Sequence, residues 1–228
     1  MRILALETTS KTGSVAALED GRLLAERELP SELRNAQSLA PGIRELFVQV
    51  GWRPADVQLV AVAVGPGSFT GLRVGVTTAK VLAYAAGAEA MGVITLEAIA
   101  ERVPADIDSL WTIVDAHREQ VFAGKFARGA DGRFEWEGDT EVLGIEAWLA
   151  RLTSESRVSG PMLSKLLPRL PKGVEAVDQA CWSPTAAAVG RLAARFHAVG
   201  RRDDLWTLAP LYFRASAAEE KRASAETR

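Results

Sequence analysis

The sequence Val57-Gln-Leu-Val-Ala-Val-Ala-Val-Gly-Pro-Gly-Ser-Phe-Thr-Gly71 joins a nearly uninterrupted apolar run to a glycine-rich turn. An apolar run of this length is typical of a strand that is covered on both faces of its sheet. The residues after the turn, to about Ala86, indicate a helix. A strand, turn and helix in this order predict a mixed α/β fold.

The residues before this unit predict a strand pair and a first amphipathic helix. Asp20-Gly21 separates the extended runs Ser14 to Glu19 and Arg22 to Leu29, and Asp-Gly between two such runs is a strong hairpin signal. From Ser38 to Val50 apolar residues recur at helical spacing, which predicts a helix with one buried face.

The second half of the chain repeats the beginning in weak form. An apolar strand with a terminal acid, a polar turn and a second strand are predicted over Leu110 to Asp115 and Gln120 to Phe126. The same pattern occurs earlier in the chain, over Arg2 to Glu7 and Ser14 to Glu19. Such self-similarity predicts two lobes built on one plan, with a hinge near Val103-Pro104.

Composition and charge exclude several classes of protein. The chain has 228 residues, and its 27 basic and 29 acidic residues give a net charge of −2. It therefore lacks the long-range positive field that drives nucleic-acid binding, so most contacts to any RNA are expected on another subunit. No apolar run has the length of a membrane span, no signal peptide is evident and Cys181 is the single cysteine; the expected compartment is the cytoplasm.

The glycine-rich turn has two interpretations. A turn between a buried strand and a helix N-terminus can present backbone N–H groups to an anion, or it can simply start the helix. Its spacing is not that of a Walker A loop, because Leu72-Arg73 stand where Lys and Ser/Thr are needed. In the helix, Gly71, Gly75, Ala79 and Ala83 form a small-residue strip that predicts close approach of a partner, either internal or on another chain.

Two acids at matching strand ends, Glu7 and Asp115, also have two interpretations. They can hold a magnesium–nucleotide complex between the lobes, or each can cap its own turn. The two histidines, His117 and His197, are eighty residues apart in sequence, which excludes a zinc or iron site built on paired helical histidines.

Four segments in order carry a family resemblance: Ile3-Leu-Ala-Leu-Glu-Thr-Thr-Ser10, Val64-Gly-Pro-Gly-Ser-Phe-Thr-Gly-Leu-Arg-Val-Gly75, Ile113-Val-Asp-Ala-His-Arg-Glu-Gln-Val-Phe122 and Pro210-Leu-Tyr-Phe-Arg214. The chain resembles the TsaB (YeaZ) family from residue 1 to about 214. The resemblance implies an α/β, actin/Hsp70-like (ASKHA) fold of two ribonuclease-H-like lobes, the second reduced. The expected division is 1–103, 104–206, and a C-terminal segment 207–228 that returns to the first lobe and ends in a mobile tail after Arg214.

The resemblance also implies a function. The family takes part in threonylcarbamoylation of the tRNA adenosine next to the anticodon, as a non-catalytic paralogue that binds and stabilises TsaD. The expected partners are TsaD, the ATPase TsaE and, without TsaD, a second copy of the chain; tRNA is reached only through the complex. No catalytic residue, metal or cofactor is expected on this chain alone.

By matching position, the partner-binding helices of the family are Ser38 to Val50 and Gly71 to Ala86. The residues expected at that interface are Leu39, Ile43, Leu46, Gly71, Leu72, Gly75, Val76, Ala79 and Ala83. This chain departs from the family at Glu7, where aspartate is usual, and a longer side chain would displace a metal. The alternative is an ATP-dependent phosphotransferase or hydrolase that uses Glu7, Asp115 and the loop from Gly65 to Gly71.

Overall fold

The computed structural model describes residues 1–213, so the predicted tail after Arg214 lies outside the described residues. The first lobe is built on a five-stranded sheet in the order β3-β2-β1-β4-β5, in which β1 pairs antiparallel to β2 and parallel to β4. Its elements are β1 (Arg2–Glu7), β2 (Ser14–Glu19), β3 (Arg22–Glu28), α1 (Asn35–Val50), β4 (Leu59–Gly65), α2 (Phe69–Ala86), β5 (Glu89–Ile94) and α3 (Thr95–Ala100).

The second lobe has a six-stranded sheet that starts with the same antiparallel pair. Its main path runs β11-β10-β6-β7-β8, with β9 paired to β7. Its elements are β6 (Ser109–His117), β7 (Gln120–Arg128), β8 (Phe134–Trp136), β9 (Glu141–Gly144), α4 (Ile145–Leu149), β10 (Arg157–Ser159), α5 (Leu163–Leu166) and β11 (Glu175–Ala176). No helix within residues 1–213 combines the length and apolar character needed to cross a bilayer.

Both faces of the first sheet are covered, as the apolar run in β4 predicts. Leu4 and Leu6 of β1 pack in one core with residues of α1 and α2. Ile3 and Ala5, which point to the opposite face, pack in a second core. That second core is completed by a last helix, α6 (Ala186–Ala198).

The position of α6 corrects the predicted boundary of the second lobe at residue 206. The chain leaves the second lobe before α6, and Ala186, Val189 and Leu192 of this helix pack on the first sheet. The N-terminus of α6 is fixed there, because the Ala186 N–H donates to Ser14 Oγ at 2.8 Å and the Ala187 N–H donates to Glu26 Oε1 at 2.7 Å. The return to the first lobe thus begins about twenty residues earlier than predicted.

After α6 the chain forms a segment along α2, which we call the strap (residues 201–213). Lys80 Nζ of α2 donates to the carbonyl oxygens of Trp206 and Leu208. The Leu211 N–H donates to the Val64 carbonyl at 2.8 Å. At its end, Tyr212 stacks on Phe69 of α2, while Phe213 contacts Phe122 of the second lobe at a ring distance of 6.0 Å.

The nine residues expected at a partner interface are buried in the single chain. Their side chains or backbones lie beneath α1 and α2, against the first sheet. The small-residue strip approaches the chain's own turn after β1: a Cβ atom on Gly71 would lie 1.9 Å from the Thr8 carbonyl oxygen, and one on Gly75 would lie 2.3 Å from Thr8 Oγ1. The partner of the strip is therefore internal.

The first prediction concerns this close approach. The substitution Gly71→Ala should lower the free energy of unfolding by about 2 kcal/mol or more, because overpacking against backbone outweighs the gain of about 1 kcal/mol in helix propensity. Urea unfolding of wild type and variant measures the difference. The matched control is Gly144→Ala, where a Cβ atom meets nothing within 4 Å. Equal stability of Gly71→Ala and wild type would contradict the packing described.

Candidate functional site

The turn after β1 contacts several elements of the first lobe. Glu7 lies at the end of β1 and is fully buried. Its Oε1 atom accepts hydrogen bonds from the Thr9 N–H at 2.6 Å, from the Thr9 hydroxyl at 2.5 Å and from the Ser10 N–H at 3.3 Å. The carboxyl group therefore caps its own turn, the second of the two interpretations.

Burial raises the pKa of the Glu7 carboxyl from 4.5 to about 7, although the hydrogen bonds from Thr9 and Ser10 lower it. No described side chain donates to Oε2 of this carboxyl, which is also buried. The group is thus held in a setting that disfavours its charged form.

The glycine-rich loop packs directly on this turn. The Ser68 N–H donates to the Thr9 carbonyl at 2.9 Å, and a Cβ atom on Gly67 would lie 2.6 Å from that of Thr9. Ser68 also caps α2, since its hydroxyl accepts from the Gly71 N–H at 3.2 Å. These N–H groups are engaged within the protein, which favours the helix-start interpretation of the loop.

The same turn also holds the start of α1. Asn35 Nδ2 donates to the carbonyl oxygens of Thr8 and Ser10, at 3.0 and 3.3 Å. The N-termini of α1 and α2 are therefore both fixed by residues 8–10. Any change in this turn is expected to reach both helices.

Asp115, the matching acid of the second lobe, has partners of its own. Its Oδ2 atom accepts from Lys165 Nζ at 2.9 Å, and its Oδ1 atom accepts from the His117 N–H at 2.7 Å. Partial burial alone would raise the pKa of Asp115, but these hydrogen bonds and the Lys165 charge outweigh it and hold the pKa below its usual value. Asp115 is thus an ionised carboxylate that is already paired.

A cleft of about 1040 Å³ lies between the lobes. Its lining includes Ser10, Gly67, Thr95, Asp115 and Lys165, but Glu7 is not among the lining residues. The two acids therefore do not face each other across the cleft. No group of three or more His, Cys, Asp or Glu side chains within residues 1–213 is arranged to hold a metal ion.

The two histidines lie in different parts of the structure. His117 lines the cleft, and His197 Nε2 lies 2.9 Å from Glu89 Oε2, outside the cleft lining. Cys181 is half-buried, and its Sγ atom donates to the Arg102 carbonyl at 3.1 Å. A structural role for Cys181 accounts for this contact.

A second concave surface lies between α1 and α2 on the outside of the molecule; we call it the helix groove. Its volume is about 370 Å³, and its lining is almost entirely apolar, with Arg44 and Arg53 as its charged members. The other lining residues are Ala40, Ile43, Phe47, Val48, Trp52, Pro54, Thr78 and Leu82. Of the nine residues predicted at the interface, Ile43 reaches this groove.

The outer faces of both helices carry exposed apolar side chains beside the groove. Val48 is 79% exposed and Val81 is 60% exposed. Such residues can be recognised in a sequence, because an apolar residue on the solvent side of an amphipathic helix interrupts its polar face. The predicted interface residues follow the buried periodicity and do not include Val48 or Val81.

The comparisons with known proteins agree on one family. A sequence model of the family described as TsaD, tRNA N6-adenosine threonylcarbamoyltransferase, matches residues 31–151. The chain is 30% identical to the tRNA threonylcarbamoyladenosine biosynthesis protein TsaB of Bacillus subtilis over 69% of this chain and 68% of the relative. It is 29% identical to the protein of that name from Escherichia coli over 97% and 98% of the two chains.

Solved structures give the same fold. A Pseudomonas aeruginosa protein described as similar to peptidase YeaZ superposes with a TM-score of 0.81 at 25% identity, covering 93% of this chain and 99% of that one. The activator of 2-hydroxyisocaproyl-CoA dehydratase from Clostridium difficile superposes with a TM-score of 0.50 at 10% identity, over 90% and 99% of the chains. The two-lobed architecture is the actin/Hsp70-like α/β fold.

The second prediction follows from the raised pKa of Glu7. The folded state keeps its proton up to about pH 7, whereas the unfolded chain releases it near pH 4.5. This group therefore stabilises the fold fully below pH 4.5, and about 3 kcal/mol of that stability is lost as the pH rises to about 7. Denaturant unfolding from pH 4.5 to 8 should show this loss in wild type and not in Glu7→Gln.

Exposed Glu28 supplies the control for that series. Glu28→Gln should keep the wild-type dependence on pH. The same slope in wild type and in Glu7→Gln would show that Glu7 does not change its protonation on folding in this range.

Proposed function

The chain belongs to the TsaB (YeaZ) family of tRNA threonylcarbamoyladenosine biosynthesis proteins, and from this we propose that it is a scaffold subunit that binds and stabilises TsaD. TsaD is the threonylcarbamoyltransferase after which the matching family model is named. The observation that carries the proposal is the apolar outer face of α1 and α2, with the helix groove at its centre.

This face has the properties of a protein-binding surface. It is apolar at the centre and has arginine at its rim, which is the composition that distinguishes such surfaces from the rest of a protein exterior. Both helices are fixed at their N-termini by the turn at residues 8–10, so the face is rigid before a partner binds. A preformed surface loses less conformational entropy on binding, which favours association.

The non-catalytic part of the proposal rests on the positions of Glu7 and Asp115, the two acids at matching strand ends. Glu7 is bonded to its own turn and does not line the cleft, while Asp115 is paired with Lys165. A magnesium–nucleotide complex held between two facing carboxylates would need both groups to be directed into the same space.

A second candidate function, ATP-dependent phosphotransfer, is favoured by one observation. The interlobe cleft is open and large enough for a nucleotide, and the buried Thr95 hydroxyl that lines it has no hydrogen-bond partner among residues 1–213. This candidate requires the isolated chain to bind and turn over ATP.

The remaining partners follow from the same proposal. TsaE joins the pair formed with TsaD, tRNA is held by the complex and not by this chain, and the site of action is the cytoplasm. Without TsaD, the apolar face is covered by a second copy of the chain. The net charge of −2 agrees with indirect contact to tRNA.

The third prediction tests the function directly. Threonylcarbamoylation of tRNA by TsaD, TsaE and preformed threonylcarbamoyl-adenylate should depend on added wild-type chain. Binding of ATP to the isolated chain, measured in parallel by calorimetry, should be undetectable. Full activity in the absence of the chain would overturn the scaffold proposal, and turnover of ATP by the chain alone would support the second candidate.

The fourth prediction tests the binding face with a matched pair of variants. Val48→Asp places a charge beside the helix groove, and it should abolish co-purification with TsaD because a carboxylate would be desolvated in the apolar contact. Val199→Asp is the control, since Val199 is 80% exposed at the end of α6, on the opposite side of the first sheet. Both variants should keep the wild-type melting temperature to within a few degrees. Normal recovery of TsaD with Val48→Asp would show that another surface binds it.

A further inference from the structure

The end of the strap connects the two lobes through a pair of adjacent aromatic residues. It coincides with the segment Pro210-Leu-Tyr-Phe-Arg214, which carries part of the family resemblance and has no part in the proposed binding face. Tyr212 packs on Phe69 of the first lobe. The next residue, Phe213, packs against the hydrophobic core of the second lobe. The chain therefore passes from one lobe to the other between these two residues.

Phe69 and Arg73 of α2 hold Tyr212 on the first lobe. The rings of Tyr212 and Phe69 lie 4.8 Å apart at an interplanar angle of 31°. Arg73 Nε donates to the Tyr212 hydroxyl at 3.0 Å, and the Arg73 guanidinium lies 4.0 Å from the centre of the Phe69 ring. Because a guanidinium is attracted to an aromatic face, the three side chains hold one another in place. Phe69 also lines the interlobe cleft, so this cluster borders the cleft.

The backbone before Tyr212 is fixed to the first lobe as well. The Leu211 N–H donates to the Val64 carbonyl at 2.8 Å. The Leu211 carbonyl oxygen lies so close to Gly65 that a Cβ atom on that glycine would be 2.8 Å from it. Val64 and Gly65 end β4 and lead into the glycine-rich loop. The end of the strap is thus attached to the strand and loop that position α2.

Phe213 makes the contact with the second lobe. Its ring lies 6.0 Å from that of Phe122 in β7, at an interplanar angle of 57°. Phe122 pairs with Val114 of β6, and Val114 lines the cleft. Leu205 and Leu208, earlier in the strap, pack instead against the core of the first lobe. Phe213 therefore fastens the strap beside the second-lobe wall of the cleft.

The covalent connection between the lobes consists of two crossover segments, residues 101–108 and 177–185. The two segments are joined to each other, because Arg102 donates to the Ser183 carbonyl and Cys181 Sγ donates to the Arg102 carbonyl. Beside them, α3 contributes Leu96 to the second-lobe core and Ala98 to the core shared with α6. Lobes connected in this way move relative to each other unless further contacts prevent it.

We propose that Tyr212 and Phe213 form a brace, which fixes the angle between the two lobes and thereby the opening of the cleft. The brace is independent of the two crossover segments, since it comes from a third part of the chain. The strap is bonded to α2 through Lys80 and Arg73, so rotation of the second lobe would have to break the aromatic contacts. This inference goes beyond the proposed function and does not require TsaD.

The distance between two nitroxide labels, one on each lobe of the full-length chain, tests the proposal by pulsed electron paramagnetic resonance. Gln49→Cys in α1 and Ala150→Cys after α4 carry the labels because both positions are exposed, and Cys181→Ser prevents labelling of the native cysteine. With the brace intact we expect a single narrow distance distribution. Phe213→Ala should broaden it and shift its maximum by several ångström, because the second lobe is released.

Three further variants in the same labelled background separate the brace from the rest of the strap. Trp206→Ala is the matched control, since Trp206 lies in the strap but contacts Tyr84 of α2; it should leave the distribution unchanged. Phe213→Leu keeps an apolar contact with the second lobe and should do the same. Tyr212→Ala removes the first-lobe half of the brace at a position that is 45% exposed, and it should broaden the distribution as Phe213→Ala does.

Circular dichroism checks that each variant is folded, and Tyr212→Ala carries the test if Phe213→Ala does not fold. Distributions in both alanine variants that match the intact brace would overturn the proposal, as would a broad distribution with the brace intact. Equal broadening in Trp206→Ala would also overturn it, because the strap as a whole would then fix the lobes. Since TsaD is absent from the experiment, failure of the scaffold proposal would leave these results unchanged.

Discussion

The backbone of α2 lies so close to the turn after β1 that no side chain fits between them. At Gly71 a single added carbon would lie within 1.9 Å of the Thr8 carbonyl oxygen, and the Thr8 hydroxyl donates to the Gly71 carbonyl at 2.8 Å. Thr9 receives the glycine-rich loop, and Asn35 brings α1 to the same turn. The orientation of both helices therefore depends on their contacts with residues 8–10.

Each of the two helices has an inner face and an outer face with different roles. The inner faces are buried and stabilise the first lobe. They include the small-residue strip of α2 and residues such as Leu39 and Leu46 of α1. The outer faces carry the helix groove and the exposed side chains of Val48 and Val81. The Glu7 carboxyl accepts hydrogen bonds from the turn at residues 8–10 and does not line the cleft. This arrangement supports the proposed scaffold role.

Much of the architecture could be predicted from the sequence, because local patterns specify it. The apolar run at 57–64, the Asp20-Gly21 hairpin and the repeated strand pair at 110–126 all appear in the structure as β4, the β2–β3 hairpin and β6–β7. The position of α6 could not be predicted, since an alanine-rich amphipathic helix has the same pattern whichever sheet it covers. The sequence therefore places the end of the second lobe too far along the chain.

The candidate site was harder to predict for a related reason. Periodicity identifies which residues of a helix are buried but not what buries them, so the strip from Gly71 to Ala83 predicted close packing without specifying its partner. Glu7 and Asp115 occupy matching positions in the repeat, but their hydrogen-bond partners differ. Glu7 accepts from its own turn, whereas Asp115 also accepts from Lys165, which is fifty residues further along the chain. Trp206 lies in a segment without periodicity, and its contact with Tyr84 is seen only in the structure.

The central claim is that the outer faces of α1 and α2, and not the cleft, form the surface that binds TsaD. Hydrogen exchange of the full-length chain with and without TsaD tests it most directly, because exchange is resolved along the whole backbone. We expect slower exchange in residues 36–54 and 70–86 on binding, with little change in the second lobe. Protection confined to cleft residues such as those at 9–14 and 161–165, with α1 and α2 unchanged, would contradict the account.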